Sequence, residues 1–304
     1  MKSGAIKVIV IGSEGFIGRN ILMGLHSMGY EVWGADLIDH HPTEYGYIHI
    51  ERSLPEFEQI FKQQHFNYCI NAAGSGSVSI SISEPNKDFE LNVVDTFKLL
   101  NAIRLNNSDC KYIHFSSAAV YGNPIKLPIA ETADLIPVSP YGYHKWLSEI
   151  ICKEFVDLYK MPIIILRPFS AYGPGQRKQL IWDLYQKFIK GTTVMLHGTG
   201  NETRDFIYVG DIVIAINTLM RCSTFDGDVY NIASGKSISI REVSEVFKKL
   251  LRDNKQILFE NKPDPGTPLY WEADISKINN FGFRPSTTFE YGLQQTIQWI
   301  TNNG

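Results

Sequence analysis

Apolar positions in the first half of the chain follow two alternating patterns. Short runs rich in β-branched side chains, at Ile6–Ile11, Glu31–Ala35, Tyr68–Asn71, Lys111–Ser116 and Pro162–Arg167, read as strands. Between them, Phe16–Met28, Pro85–Leu105 and Pro140–Tyr159 carry apolar residues at helical spacing. Pro140 suits a first helical turn, where no amide hydrogen is needed. Strands alternating with long helices predict parallel strands joined by helical crossovers, hence an α/β fold with a doubly wound parallel sheet. After Arg167 the breaker cluster Tyr172-Gly173-Pro174-Gly175 ends this regularity, and short, irregular segments follow. Val229–Ala233 again reads as a buried strand, which returns the chain to the first sheet. The expected organisation is a main unit over residues 1–171 to which 205–233 return, and a smaller, partly discontinuous region from 172–204 and 234–304.

Composition narrows the class. With 304 residues, 44% hydrophobic and 20% charged, the chain can bury a large core, and it is neither disordered nor collagen-like nor disulfide-dense. A formal net charge of -3 provides no broad positive field for nucleic acid. The longest apolar runs, such as Val8–Ile11 and Ile163–Leu166, fall far short of the roughly 20 residues a membrane helix needs. The start, Met1-Lys2-Ser3-Gly4, leads straight into a strand without a secretory signal pattern, so a cytoplasmic location is expected. Cys69, Cys110, Cys152 and Cys222 lie far apart with no Cys-x-x-Cys pair, which predicts reduced thiols and no metal site.

Three constellations carry chemistry. After the first strand, Gly12-Ser13-Glu14-Gly15-Phe16-Ile17-Gly18 places a glycine at every third position, allowing a tight turn and close approach of backbone to a pyrophosphate at a helix N-terminus. A purely structural turn also uses glycine, so the loop gains its meaning from Asp36. That carboxylate ends the second strand about 20 residues on, where it can accept from both ribose hydroxyls and would repel a 2′-phosphate. With Leu37 and Ile38 beside it and no cation there, NAD is favoured over NADP. Further on, Tyr141 and Lys145 share a helix face at i,i+4 spacing. A cation at about 4 Å, at an effective dielectric of about 20, is worth roughly 4 kcal/mol, which would bring the phenol from near pKa 10 towards neutrality. A group poised there can move a proton on and off a sugar hydroxyl. Ser117, in Phe115-Ser116-Ser117-Ala118-Ala119, leaves the fourth strand at its carboxyl end and could bond the same oxygen.

In these motifs, taken with Asn71-Ala72-Ala73-Gly74, Glu84-Pro85, Asn92, Tyr172-Gly173-Pro174 and Arg204-Asp205-Phe206-Ile207-Tyr208-Val209-Gly210-Asp211, nearly the whole chain resembles the extended short-chain dehydrogenase/reductases. The likeness is to their NAD-dependent nucleotide-sugar epimerase and dehydratase branch, of the UDP-glucose 4-epimerase kind. It implies a Rossmann domain over 1–171 that binds NAD, a C-terminal substrate-binding region, and a homodimer packed through Pro85–Leu105 and Pro140–Tyr159. The resemblance assigns Tyr141 as acid/base, Lys145 as the residue that holds the ribose and lowers the tyrosine pKa, and Ser117 as the binder of the reacting oxygen. Gly12, Gly15, Phe16, Ile17, Gly18, Asp36, Ala72, Ala73, Gly74, Asn92 and Pro168, with Tyr141 and Lys145, would line the cofactor. Ser77, Ser117, Ser170, Arg177 and Arg204 would bind a nucleotide-diphosphate sugar.

The departures from the family pattern matter as much. Ser170 stands where many relatives carry Asn, Asp264 where a second phosphate-binding arginine is usual, and Ile50 where an Asp often lies near the adenine. Arg177 or Lys178 is the candidate replacement for the missing cation. Ala118-Ala119 replaces the Asp-Glu pair of the 4,6-dehydratases, which argues against dehydration. The expected reaction is epimerisation at C4 through a transient 4-keto sugar; the alternatives are a 4-keto-6-deoxy nucleotide-sugar reductase and, remotely, a non-catalytic NAD-sensing protein. Gly235-Lys236-Ser237 is no phosphate loop because Tyr230 occupies the first glycine position. His144 reads as a helix residue facing elsewhere, and Phe225, Tyr230 and Trp271 as core aromatics.

Overall fold

The structure, a computed structural model, describes residues 5–40, 42–52, 56–262 and 268–303. Seven strands form one parallel sheet: β1 (Lys7–Ile11), β2 (Glu31–Asp36), β3 (Gly46–His49), β4 (Tyr68–Asn71), β5 (Lys111–Phe115), β6 (Ile163–Pro168) and β10 (Asp226–Ile232). Their spatial order is β10-β6-β5-β4-β1-β2-β3. The order reverses between β1 and β4, and the crevice outside the carboxyl ends of those two strands is where an open sheet of this type takes a ligand. β1 and β6 are buried along almost their whole length, with Val8, Ile9, Val10 and Ile163 to Leu166 in two apolar layers on either face of the sheet. Strands covered on both faces by helices give continuous apolar runs.

The covering helices are α1 (Phe16–Ser27), α2 (Phe57–Gln63), α3 (Val78–Ser83), α4 (Pro85–Phe89), α5 (Asp95–Asn106) and α6 (Pro140–Tyr159). α6 starts with Pro140 at its first turn and the Ser139 hydroxyl accepting from Gly142 N–H at 3.2 Å. The single helix expected over Pro85–Leu105 is α4 and α5 joined by a π-helical turn, Glu90–Val94, which carries Asn92. Such wide turns recur at functional sites. The edge strand β3 escapes the sequence pattern because none of its residues is fully buried.

Beyond β6 come β7 (Ser170–Tyr172), α7 (Gln179–Lys190), β8 (Thr193–Leu196), β9 (Thr203–Tyr208), α8 (Val209–Cys222), β11 (Ser237–Ser239), α9 (Ile240–Leu251), β12 (Gln256–Phe259), α10 (Ser276–Asn279) and α11 (Phe289–Asn303). β11, β9 and β7 form a three-stranded sheet, and β12 pairs with β8. A third apolar cluster lies here, with Tyr172, Phe188, Phe206 and Phe247. α8 packs against α1 and leads into β10, which pairs with β6 in the large sheet.

Buried carboxylates clamp this second half. Asp205 accepts from Ser234 N–H, the Ser234 hydroxyl, Gly235 N–H and Ala273 N–H, and Asp211 from Ser286 and Thr287. Phe225, Tyr230 and Trp271 are buried in the core as expected, the Trp271 indole donating to the Gly122 carbonyl. Cys69, Cys110 and Cys152 are buried and Cys222 is exposed. Among the described residues no cluster of side chains is arranged to hold a metal, and no helix is long and apolar enough to cross a membrane. Asp264 and its turn-rich surroundings lie outside the described residues.

Candidate active site

The glycine loop sits at the sheet's switch point, and its three glycines do different work. Gly12 has φ +79°, and a Cβ there would lie 2.7 Å from the Ala73 backbone, which follows β4. At Gly18 a Cβ would fall 2.0 Å from the Gly12 carbonyl oxygen. Both are fixed by the chain's own packing. Gly15 is exposed, and its nearest neighbour would be that same carbonyl at 3.2 Å. It caps α1, which has no side-chain cap and no acidic residue in its first turn. An exposed, uncapped helix N-terminus, with Phe16 and Ile17 in the first turn, is a seat for an anion.

Asp36 is held on both oxygens, Oδ2 accepting from Glu14 N–H at 2.9 Å and Oδ1 from Leu37 N–H at 2.7 Å. A carboxylate keeps further lone pairs after two such bonds, enough for a vicinal diol. Leu37 and Ile38 beside it are exposed and uncharged, and Ile50 is buried in the core. The residues present therefore fit a dinucleotide without a 2′-phosphate.

At the carboxyl end of β5, Ser117 opens a 3₁₀ turn (Ala118–Tyr121), its Oγ accepting from Ala119 N–H at 3.1 Å. Ser117 also hydrogen-bonds Tyr141. Lys145, one turn along α6, is buried and donates from Nζ to the Phe115 carbonyl at 2.9 Å. α6 is bolted in place by Arg167 on β6. Its guanidinium donates to both Glu149 oxygens at 2.9 and 2.6 Å and to the Tyr121 hydroxyl at 2.9 Å.

The electrostatics overturn one expectation. Burial pushes the Tyr141 phenol up to about 12, a hydrogen bond with Ser117 only partly opposing it and Asp88 adding to it. Burial likewise brings Lys145 down to about 8, against the pull of Asp88, Cys152 and Glu149. The helical spacing that suggested a lysine-acidified phenol left out the cost of burying both charges.

Residues 8–233 match the model of the NAD dependent epimerase/dehydratase family. The chain belongs to that family. It is an enzyme of this class, and NAD is its cofactor. This family member is 28% identical to a putative UDP-glucose 4-epimerase of Methanocaldococcus jannaschii, over 97% of its own length and 99% of the relative's. Among solved structures it is similar to the UDP-N-acetylglucosamine 4-epimerase of Methanobrevibacter ruminantium in complex with UDP-N-acetylmuramic acid, with TM-score 0.89, 27% identity and 99% of each chain covered. It is also similar to the UDP-glucuronic acid 4-epimerase of Bacillus cereus in complex with UDP-glucuronic acid and NAD, with TM-score 0.88 and 25% identity over 98% of this chain and 99% of that one.

Beside the glycine loop the epimerase/dehydratase chain brings Ala72, Ala73, Gly74, Asn92 and Lys145 together, and it places the other expected residues on nearby elements without joining them to the loop. Ala72, Ala73 and Gly74 follow β4, with the Asn71 side chain accepting from Ala73 N–H. A Cβ on Gly74 would lie 2.5 Å from Asn92 Oδ1 and 3.4 Å from Lys145 Nζ, which puts these three groups side by side. Pro168 ends β6 opposite Ile232. Ser170 begins β7, paired with Phe206, while Ser77 caps α3 by accepting from Ile80 N–H. Arg204 lies on β9, donating to the Thr203 carbonyl, its guanidinium 5.7 Å from the Trp271 ring centre.

Two assignments change. Arg177 donates to the Asn303 carbonyl and stacks on Trp299, so it ties α11 down rather than standing in for a phosphate-binding cation. His144 does not merely face elsewhere: its Nδ1 lies 2.6 Å from Oδ2 of Asp88, a fully buried carboxylate on α4. Asp88 is the site residue that sequence reasoning missed. Fifty-six residues separate it from its partner, and nothing local in the sequence joins them.

Proposed function

We propose that this chain epimerises a nucleotide-diphosphate sugar, of the UDP-sugar class, at C4 through a transient 4-keto sugar. What supports the reading is the meeting of Ser117, Tyr141 and Lys145 beside the cofactor loop, with buried Ala118 and Ala119 following Ser117 in place of an acid pair. Such a site can move a proton on and off one hydroxyl, and the alanines after Ser117 offer no acid/base to expel a neighbouring hydroxyl. Bound NAD supplies the two-electron acceptor and donor for the sugar carbon and a positive charge near the phenol.

In this reading Gly12, Gly15, Phe16, Ile17 and Gly18 hold the pyrophosphate and Asp36 holds the adenosine ribose. Ala72, Ala73, Gly74, Asn92 and Pro168 border the nicotinamide half. Tyr141 Oη takes the C4 hydroxyl proton as that carbon is oxidised, and it returns the proton once the sugar has turned its other face. Ser117 Oγ steadies the same oxygen throughout. Lys145 holds the nicotinamide ribose. Ser77, Ser170 and Arg204 serve the substrate, Arg204 as a planar, permanently charged donor for the diphosphate. Residues 1–171 with 205–233 act as the cofactor unit, and 172–204 with 234–304 as the substrate region. α5 and α6 expose Phe97, Leu147, Ile150 and Leu158, and two copies pack through these helices.

The test is proton NMR of the purified protein with UDP-, dTDP-, GDP- and CDP-hexoses and no added cofactor. Appearance of the C4 epimer of a UDP-sugar is expected. Inert hexoses, with reduction of a 4-keto sugar by added NADH, would overturn the reading in favour of a reductase.

A further inference from the structure

Polar side chains enter an apolar core at a cost unless each finds its partner. Beneath α6, Asn71, Tyr112, His114 and Ser148 are all buried and satisfy one another in a single line across β4, β5 and α6. Asn71 Nδ2 donates to the Tyr112 hydroxyl at 2.8 Å, and Tyr112 Oη lies 3.3 Å from His114 Nδ1. His114 Nε2 lies 2.8 Å from Ser148 Oγ, which donates to the Lys145 carbonyl at 2.7 Å. Tyr112 and His114 stand two residues apart on β5, hence on one face of the sheet, with their rings stacked at 21°.

The bonds themselves fix the direction of donation. Asn71 Oδ1 accepts from Ala73 N–H at 3.2 Å, so the amide presents Nδ2 to the phenol. The phenol oxygen accepts there and passes its own proton to His114 Nδ1. Burial keeps that phenol protonated, and burial with the nearby Lys145 ammonium keeps the imidazole neutral. A neutral imidazole carries one proton, here on Nε2, donated to Ser148, whose proton goes on to the Lys145 carbonyl. The other tautomer would leave the buried phenol proton without an acceptor and turn Ser148 away from Lys145. The two ends of the run meet the cofactor site. At one end Asn71 holds Ala73, whose backbone packs so tightly on the glycine loop that a Cβ on Gly12 would lie 2.7 Å from it. At the other, Phe115, the residue after His114, accepts from Lys145 Nζ at 2.9 Å. His114 and Phe115 thus set the height of α6 on β5 at two neighbouring points. A helix rises about 1.5 Å per residue, so a slip of one residue would draw the ammonium away from Gly74 and Asn92.

We propose that His114 is a positioning residue for the cofactor: it joins Asn71, Tyr112 and Ser148 into one buried strut that holds the Ala73 turn and the Lys145 turn of α6 at a fixed separation, and so holds the seat of the nicotinamide half of NAD. The proposal rests on the reading given above in which Ala73 and Lys145 border that half. The ring touches neither cofactor nor sugar and moves no proton in the reaction. Its two nitrogens act as one acceptor and one donor facing opposite ways, which keeps both ends of the strut in tension on the same strand. Losing either neighbour frees the ring to turn, and the bond on its other side goes with it.

The first measurement is ¹⁵N NMR of the full chain labelled at histidine, His114 being identified by the signals that vanish in His114→Phe. Two separate ring signals are expected at neutral pH, Nδ1 without a proton and Nε2 with one. A protonated Nδ1, or a ring averaging between tautomers, would overturn the proposal. The second measurement is calorimetric titration of the cofactor-free chain with NAD and, separately, with ADP, which in the same reading reaches only the glycine loop and Asp36. Tyr112→Phe and Ser148→Ala each remove one oxygen from the strut, and each should weaken NAD about tenfold while ADP affinity stays within about twofold. Together they should still cost about tenfold, since a strut already broken at one end has little left to lose. A role in stability alone would weaken NAD and ADP alike or neither, and independent contacts would give about a hundredfold loss in the double variant; any of these results overturns the strut. If the ring and the affinities behave as expected while no nucleotide sugar is converted, the positioning role stands and the proposed reaction falls.

Discussion

The large parallel sheet and the later region are held together by different means. In the first, strands such as β1 and β6 are apolar along their length, and helices cover both faces. In the second, strands of three to six residues are only partly buried, and carboxylates on Glu202, Asp205 and Asp211 gather backbone N–H groups from turns and loops. An apolar ladder is insensitive to pH, whereas a clamp made of carboxylates works only while it is ionised. In the proposed function the sheet fixes the reacting groups and the clamped region carries the substrate grip.

The sharpest test of that division is Tyr141→Phe. It removes one hydroxyl from the sheet side and should lower turnover by about 10²- to 10⁴-fold, the range for a lost acid/base, while calorimetry shows NAD still bound. Next in size is Arg167→Met, which leaves Glu149 buried and unpaired; a loss of roughly 3–5 kcal/mol in urea unfolding is expected. A loss below about 1 kcal/mol would mean that α6 needs no such bolt.

Lys145 provides a pH-dependent test of the same half. Its folded-state value of about 8 lies below the ordinary 10.5, so between those limits the unfolded chain binds more protons and stability rises with pH. The rise should approach the order of 3 kcal/mol relative to Lys145→Met, whose difference from wild type should shrink as pH climbs from 8 to 10.5.

The smallest effect lies in the clamped half. Burial alone would raise the Glu202 carboxyl, but bonds from Thr199 N–H, the Thr199 hydroxyl and Gly200 N–H outweigh it and leave it below the usual range. A lowered folded value contributes stability above the unfolded pKa and loses it as pH falls through the folded one. Glu202→Gln should therefore cost roughly 1–3 kcal/mol near neutrality and progressively less in acid, as read by thermal melts at several pH values.

The same contrast explains what could be read in the sequence. The glycine loop, Asp36 and the Tyr141–Lys145 pair were legible because each is local: a turn, a strand end, one helical turn. β4 and α6 run over the residues their apolar patterns predict. The break of the Pro85–Leu105 pattern at Glu90–Val94 was not legible, since a π turn keeps the apolar face nearly continuous. β3 and the short strands after β6 carry too few apolar residues to signal a period. The raised phenol, the lowered lysine and the Asp88–His144 couple depend on which distant segments close over a group, and residue types alone do not specify that. Arg177 shows the converse: a cation in a promising run of sequence is taken up by the last helix.

Among the described residues the chain passes between the large sheet and the smaller ones repeatedly, from β6 into β7, from β9 into α8 and from β10 into β11, and α10 packs back against β10. Two bodies joined by one linker can swing open like a door; two bodies sewn at several points can only flex. Admission and release of a small molecule must then fall to the loops at the rim, while the walls of the cleft keep their spacing.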